Sequence, residues 1–330
     1  MRFWRAAQLA LVLAFFAYLV VRTDLAAMRD AIANANASLI VVAALLTVPV
    51  ALLFGVRSSF VLTRLGYRLS IQTALPIAIV GNVAGSLTPA SSGEVLRGVL
   101  LRSRANVAAR DGAALVLFER GLSVYVIALT TAAAALLLAV PLAWLPAILA
   151  AAAPLLVLPG MVLSIAARVL VRADETKPTS KIAFVRDGME RLVRLARDPA
   201  LVVPWSAVTV GIFSITSLQY WLIARSLADD VAFHEAWIAF GASQLVGIVT
   251  LLPLGLGSSD AAVASLLRRF GLAFSEATSG AILVRAANTL PLIIVAFASY
   301  MYLQTQQVPE QRMTDDSRSS PDGSTVLRRH

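Results

Sequence analysis

Cysteine is absent from this 330-residue chain, and histidine occurs only as His234 and the terminal His330. Disulfides, thiolate metal sites and cysteine nucleophiles are therefore excluded, and zinc, haem and Ser-His-Asp chemistry lack their side chains. Charge is scarce too, with Asp, Glu, Lys and Arg at 14% against about 25% in soluble domains. A Walker loop, a dinucleotide fingerprint and a hydrolase elbow are missing from the sequence. What the chain has in abundance is apolar side chains, 58% of residues, at a mean hydropathy of +0.79. Such a composition belongs in a bilayer. The net charge of +9 would suit nucleic acid, but membrane proteins acquire such values from basic cytoplasmic loops. No nucleic acid is expected among its partners.

A spanning helix needs roughly 20 largely apolar residues, so hydropathy reads directly as topology. Six long spans are predicted near 4 to 21, 38 to 62, 111 to 139, 142 to 167, 200 to 224 and 276 to 303. Two shorter segments, around 70 to 105 and 233 to 270, are interrupted by Pro, Gly and Ser and read as broken, re-entrant helices. The first span ends in Val20-Val21-Arg22-Thr23-Asp24 without a small-residue cleavage pattern, so it reads as an uncleaved anchor. Residues 304–330 are polar and read as a disordered cytoplasmic tail.

With a cytoplasmic N-terminus and both broken segments returning to the side they entered from, cytoplasmic segments hold 19 basic residues and outer segments five. That asymmetry predicts cytoplasmic termini. The largest cytoplasmic loop, 168–199, ends in KIAFVRDGMERLVRLARD, where Ile182, Val185, Met189, Leu192 and Leu195 recur at helical spacing between basic residues. Such a helix either lies on the anionic inner leaflet or serves as a positive-inside linker. The five tryptophans fall near predicted span ends, as an interfacial belt would place them.

The chain also repeats itself. Ala74, Asn82 and Gly85 align with Ala236, Gln244 and Gly247 at an offset of 162, and Pro89 with Pro253 at 164. Glu94, Leu100, Leu101 and Arg102 align with Asp260, Leu266, Leu267 and Arg268 at 166, and Arg120 with Arg285 at 165. Each half, about 1–140 and about 141–303, would cross the membrane three times, and an odd number inverts the second copy relative to the first. Inverted repeats with broken helices are the architecture of midplane transport sites.

Candidate functional residues sit in and after the breaks. In GNVAGSLTPASSGEVLRG, the run Gly81, Gly85, Ser86, Thr88, Pro89, Ser91, Ser92 and Gly93 is expected to unwind the helix, which requires burial or a wet cavity. Ser91, Ser92, Gly93 and Glu94 would cap a new half-helix whose first turn attracts anions, with Arg97 one turn on. The second break carries Pro253, Gly255 and Gly257, and then Asp260. Asp260 reads either as a helix cap or as the partner of Glu94 in a functional couple. Glu119, Arg120 and Arg285 lie deep in apolar spans, where an ionisable group costs roughly 3 kcal/mol or more and faces protein or water. Three acids and three arginines either neutralise each other or form a basic pocket for a lipid head group. Arg57, near a span end, is expected to snorkel.

TPASSGEVLR, the ER of VLFERG, PLGLGSSDAA and the LVR of AILVRAAN together resemble the flippase-like integral membrane family named for the transmembrane region of lysylphosphatidylglycerol synthase. Its Pro-Gly-x-x-Gly-Glu-x-x-Arg pattern maps onto Pro89, Gly93, Glu94 and Arg97, with Ala90 at the first glycine. At the second turn Ser259 and Asp260 stand where the family tends to carry a basic residue and Glu. The resemblance implies movement of a lipid between leaflets, typically an aminoacylated phosphatidylglycerol, and a chain without the aminoacyl-transferase domain of the full-length synthases.

The expectation is thus an all-α polytopic protein of a bacterial inner membrane, with about six full spans and two re-entrant helices in two inverted repeats, one transmembrane domain over 1–303. It would translocate an anionic or modified lipid head group. Arg97, Arg120, Arg285, Ser91 and Ser92 would bind the head group, Glu94, Glu119 and Asp260 would partner the arginines or carry protons, and no cofactor or metal is required. Alternatives are a membrane-embedded transferase on a lipid-linked substrate and a non-catalytic partner of a separate lipid synthase. Membrane lipids are the expected ligands, with a second copy of the chain or that synthase as protein partner.

Overall fold

Long apolar runs become helices in lipid because only the helix satisfies each backbone N–H and C=O within the segment. The computed structural model describes residues 25–88, 93–136, 138, 180–228, 230–250, 252 and 255–306. Their elements are α1 (Leu25–Asn34), α2 (Ala37–Leu45), α3 (Thr47–Arg64), α4 (Ile71–Leu87), α5 (Glu94–Ala105), α6 (Ala109–Leu136), α7 (Ser180–Arg197), α8 (Pro199–Leu227), α9 (Phe233–Thr250), α10 (Ser258–Arg269) and α11 (Phe274–Thr305). Local signals set the ends. Asn36 Oδ1 accepts from the Ser38 and Leu39 amides to start α2, and Asp198 Oδ1 accepts from Ala200 N ahead of α8, whose first residue is Pro199.

Among the described residues four helices are long and apolar enough to cross a membrane: Ala37–Arg64, in which α2 runs through Leu46 into α3, and α6, α8 and α11. The shortest have 28 residues, about 42 Å at 1.5 Å each, against a hydrocarbon core of about 30 Å. They match four of the six expected spans. The spans near 4 to 21 and 142 to 167, and the tail from 307 on, lie outside the described residues. On α11 the stripe Leu290, Ile294, Phe297 and Met301 is exposed, and so are Val41, Leu45, Val48 and Leu52 on α2 and α3. Faces like these suit lipid rather than water.

Both broken segments are helix pairs whose arms pack on each other, α4 with α5 and α9 with α10. The expected unwinding at Gly81, Gly85 and Ser86 does not occur, because α4 stays helical to Leu87. Those glycines clear space instead. A Cβ on Gly81 would come within 2.5 Å of the Arg97 side chain, and one on Gly85 within 2.6 Å of Glu94 Cγ.

Packing around the two hairpins follows one plan. α4 rests on α3 and on α11, while α9 rests on α8 and on α6. Each first arm therefore leans on the span that follows the other hairpin. One core cluster joins Leu101, Leu115, Phe118 and Trp205, and a second joins Tyr220, Phe240, Leu267 and Val284. Leu101 and Leu267, aligned by the repeat, are buried in corresponding clusters.

The second half of the apolar face of α7 is covered by protein. Leu192, Leu195 and Ala196 are buried in the first core cluster, against α6. Periodicity alone announced an apolar face without saying what covers it. Asp111, at the start of α6, holds this docking together: it pairs with Arg191 of α7 and accepts from Tyr67 Oη at 2.7 Å, while Tyr67 Oη accepts from Ala108 N at 3.1 Å. Burial, with the Asp111 carboxylate alongside, raises the Tyr67 phenol above its ordinary pKa. A raised phenol pKa favours the protonated form in the fold, so this contribution is intact below the ordinary tyrosine value and is lost as pH climbs past it. Tyr67→Phe is expected to cost about 1 kcal/mol at neutral pH and to flatten the alkaline decline, as measured by thermal melts across pH.

Candidate functional site

The first hairpin closes between Thr88 and Gly93. Thr88 Oγ1 donates to Ala84 O at 2.9 Å and accepts from Gly93 N at 2.5 Å. A Cβ at Gly93 would strike the Ala84 carbonyl, so glycine is required there by close backbone approach. Pro89, Ala90, Ser91 and Ser92 lie outside the described residues. The second hairpin closes in a similar way, with Thr250 and Ser258 hydroxyls 2.8 Å apart. Gly255 and Gly257 have φ of 61° and 84°, left-handed values that side chains resist. Pro253 lies outside the described residues.

Each returning helix starts with an acid that reaches the next span. Glu94 on α5 is buried and bonded to Arg120 of α6. Asp260 on α10 pairs with Arg285 of α11 at 2.6 Å and also accepts from Gly257 N at 3.0 Å. Asp260 is therefore both cap and partner, and the two readings of it are not rivals. The positions aligned by the repeat, Glu94 with Asp260 and Arg120 with Arg285, make the same kind of bond.

Arg120, Asp260 and Arg285 line a cavity of about 630 Å³ between the hairpins. Its wall is mostly apolar, from Phe54, Phe213, Tyr220 and Phe240 among others, with Ser86, Gln244, Ser259 and Asn288 as additional polar points. Few polar groups in an apolar concavity are what an oriented small-molecule site needs. Both arginines are only partly buried: the Arg120 side chain is 39% exposed and that of Arg285 25%.

Arg97 and Glu119 do not line this cavity. They line an adjoining chamber of about 170 Å³ with Arg57, Asn82, Glu94 and Ser123, and it shares Ser86, Arg120 and Gln244 with the larger one. Arg97 Nη1 donates to Glu119 Oε2 at 2.7 Å and Nη2 to Ser58 Oγ at 2.7 Å. Arg57 does not snorkel. Its side chain is 6% exposed, with Nη2 3.7 Å from Glu119 Oε2 and Nη1 3.3 Å from Ser123 Oγ. Its guanidinium carbon also lies 4.9 Å from the centre of the Trp205 ring, a cation–π distance. Trp205 is itself fully buried rather than interfacial. Its place in the helix pattern could have marked Arg57 only if the burial of α8 were known. Asp111 and Tyr67, also missed, gave no local signal.

Among the described residues no three His, Cys, Asp or Glu side chains gather as a metal centre. The arrangement offers guanidinium groups held in place by carboxylates, which suits anions. No curated protein matches the chain. The family model described as the lysylphosphatidylglycerol synthase TM region matches residues 5–296, so a multi-pass chain with this paired-charge cavity belongs to that membrane family, tied to lipid metabolism.

Proposed function

We propose that the chain translocates lipids, moving an anionic or modified head group between the leaflets of a bacterial inner membrane while the acyl tails stay in the bilayer. One observation carries this reading: an acid at the start of each hairpin's second arm pairs with an arginine of the span that follows, and both arginines line one cavity amid the membrane-spanning helices. Two inverted halves with re-entrant hairpins, both termini cytoplasmic, place such a cavity where it can open to either side. The matching contacts of α4 with α11 and of α9 with α6 support that relation between halves.

Arg120 and Arg285 engage the phosphate, and Glu94 and Asp260 hold them in position and limit how tightly it is held. Movement is downhill or coupled to an ion gradient, with Glu94, Glu119 and Asp260 as the carboxylates able to carry a proton. The chain acts as a carrier rather than as an enzyme. Reconstitution in liposomes with fluorescent phosphatidylglycerol tests this: dithionite is expected to bleach inner-leaflet label at a rate well above that of protein-free vesicles. Equal rates sink the proposal. Mass spectrometry of a deletion strain is expected to show unchanged lipid species with altered leaflet distribution, and loss of a modified species would mark an enzyme instead.

A further inference from the structure

Pro291 lies inside α11, and a proline there cannot donate the bond that would close on the carbonyl four residues earlier. That carbonyl belongs to Ala287. In lipid a freed carbonyl has to be served by a neighbouring helix, and here Thr47 Oγ1 of α3 donates to it at 3.3 Å. The same hydroxyl accepts from Gln219 Nε2 of α8 at 3.0 Å, and that amide also donates to Ala43 O of α2 at 2.8 Å. Three spans are thus tied at one buried point, with Thr47 and Gln219 each 1% exposed.

The tie is a weak one. An O–H···O bond is ordinarily about 2.7–2.8 Å long, so the one from Thr47 is stretched. Gln219 Oε1 is buried without a hydrogen-bond partner, which is a cost of the closed arrangement. Thr47 is moreover the first residue of α3, directly after the interruption at Leu46. The tie therefore joins a break in one span to the proline of another.

A second proline offers a comparison. Pro204 inside α8 frees Ala200 O, and Arg64 Nη2 donates to it at 3.3 Å in an exposed setting. Neither Arg64 nor Ala200 lines the cavity, whereas Pro291 is flanked by residues that do: Arg285, Asn288 and Thr289 before it, Leu292 and Ile293 after it. One turn from the tie, Val50 of α3 and Thr216 of α8 line the same cavity. A bend at Pro291 would move Arg285 against Leu292 and Ile293, and so reshape the wall.

We propose that α11 is jointed between Ala287 and Pro291 and that Thr47, backed by Gln219, is the latch of that joint. Closed, the latch holds the two arms of α11 in the arrangement described; released, it lets them pivot and changes the side to which the cavity opens. The joint stands on the freed carbonyl and its donor from another span. Its use in carrying a head group across rests on the translocation reading.

Because the chain has no cysteine, spin labels can be placed through Ile282→Cys and Met301→Cys, exposed positions on the two arms of α11, about 28 Å apart along the helix. Pulsed dipolar distances on the full chain in detergent are expected to be broad or split with Pro291 in place. Thr47→Val is expected to shift them toward the second distance, and Pro291→Ala to leave one narrow distance, because its restored amide serves Ala287 O. Melts of the unlabelled chain test the latch as a cycle: Thr47→Val is expected to lower the melting temperature by about 3 °C alone and by less than about 1 °C in the Pro291→Ala background. In liposomes Pro291→Ala is expected to move labelled phosphatidylglycerol at least about tenfold more slowly than wild type, while Pro204→Ala keeps the wild-type rate. One distance distribution common to wild type and Pro291→Ala overturns the joint, and additive melts overturn the latch. Wild-type movement in Pro291→Ala, or equal slowing in Pro204→Ala, overturns its part in transport. If the wild type itself moves no lipid, translocation falls, and the distances and the cycle still decide the joint.

Discussion

Liposomes carrying the Arg120→Ala, Arg285→Ala double variant are expected to move labelled phosphatidylglycerol at least about 100-fold more slowly than wild type. Each arginine offers an anion a charge-assisted hydrogen bond worth roughly 1.5–3 kcal/mol, and losing two corresponds to about 3–6 kcal/mol. The loss has a second component, since Asp260 in the cavity and Glu94 in the adjoining chamber would then lack their arginine partners and repel the phosphate. Because both arginines line one cavity from positions aligned by the repeat, single variants are expected to fall by similar factors. The fold should survive, as both arginine side chains are only partly buried, at 39% and 25% exposed, and a melt of each preparation checks that it does. Movement at the wild-type rate by the well-folded double variant would remove these two residues from the site.

Glu119→Ala is expected to do the opposite, damaging stability first. This carboxylate is the shared partner of Arg97 at 2.7 Å and Arg57 at 3.7 Å, all three side chains being at least 94% buried. Removing it leaves two guanidinium groups in the interior without their counter-charge, and breaking a buried pair in this way costs roughly 3–5 kcal/mol. For a chain of this size that lowers the melting temperature by roughly 10 °C. A companion variant makes the argument specific: Arg57→Met, Arg97→Met, Glu119→Leu removes all three charges together and is expected to recover most of the loss, because an apolar replacement of a buried ion group is often neutral. If Glu119→Ala melts with the wild type, the cluster is solvated and the account of it is wrong.

How much of this could be read from the sequence differs from residue to residue. That the segments around 70 to 105 and 233 to 270 are broken is legible as Pro, Gly and Ser inside apolar runs, since such residues have few other roles there. The shared register aligns Glu94 with Asp260 and Arg120 with Arg285, but which acid bonds which arginine is not legible in it, because the partner lies on the next helix. Gly81 and Gly85 serve packing rather than unwinding. A glycine either yields its backbone or yields space, and only the course of α5 and the position of Arg120 decide which. The depth of Arg57 along its own helix suggests snorkelling, whereas Trp205 on another helix covers it. The apolar stripe of α7 was legible, yet the same period serves lipid and protein alike. Asp111 and Tyr67 meet across 44 positions, and no short-range pattern announces such a pair.

The crossed support of the two hairpins has a consequence for how the protein is made. α4 emerges early from the ribosome, but one of its packing surfaces is α11, the last described helix, and α6 must likewise await α9. Contacts so far apart in the chain close slowly. The earlier helices therefore spend synthesis with their inner, small and charged faces unsealed, Gly85, Glu94 and Arg120 among them. For this protein, the step that completes the first hairpin's surroundings is the insertion of α11.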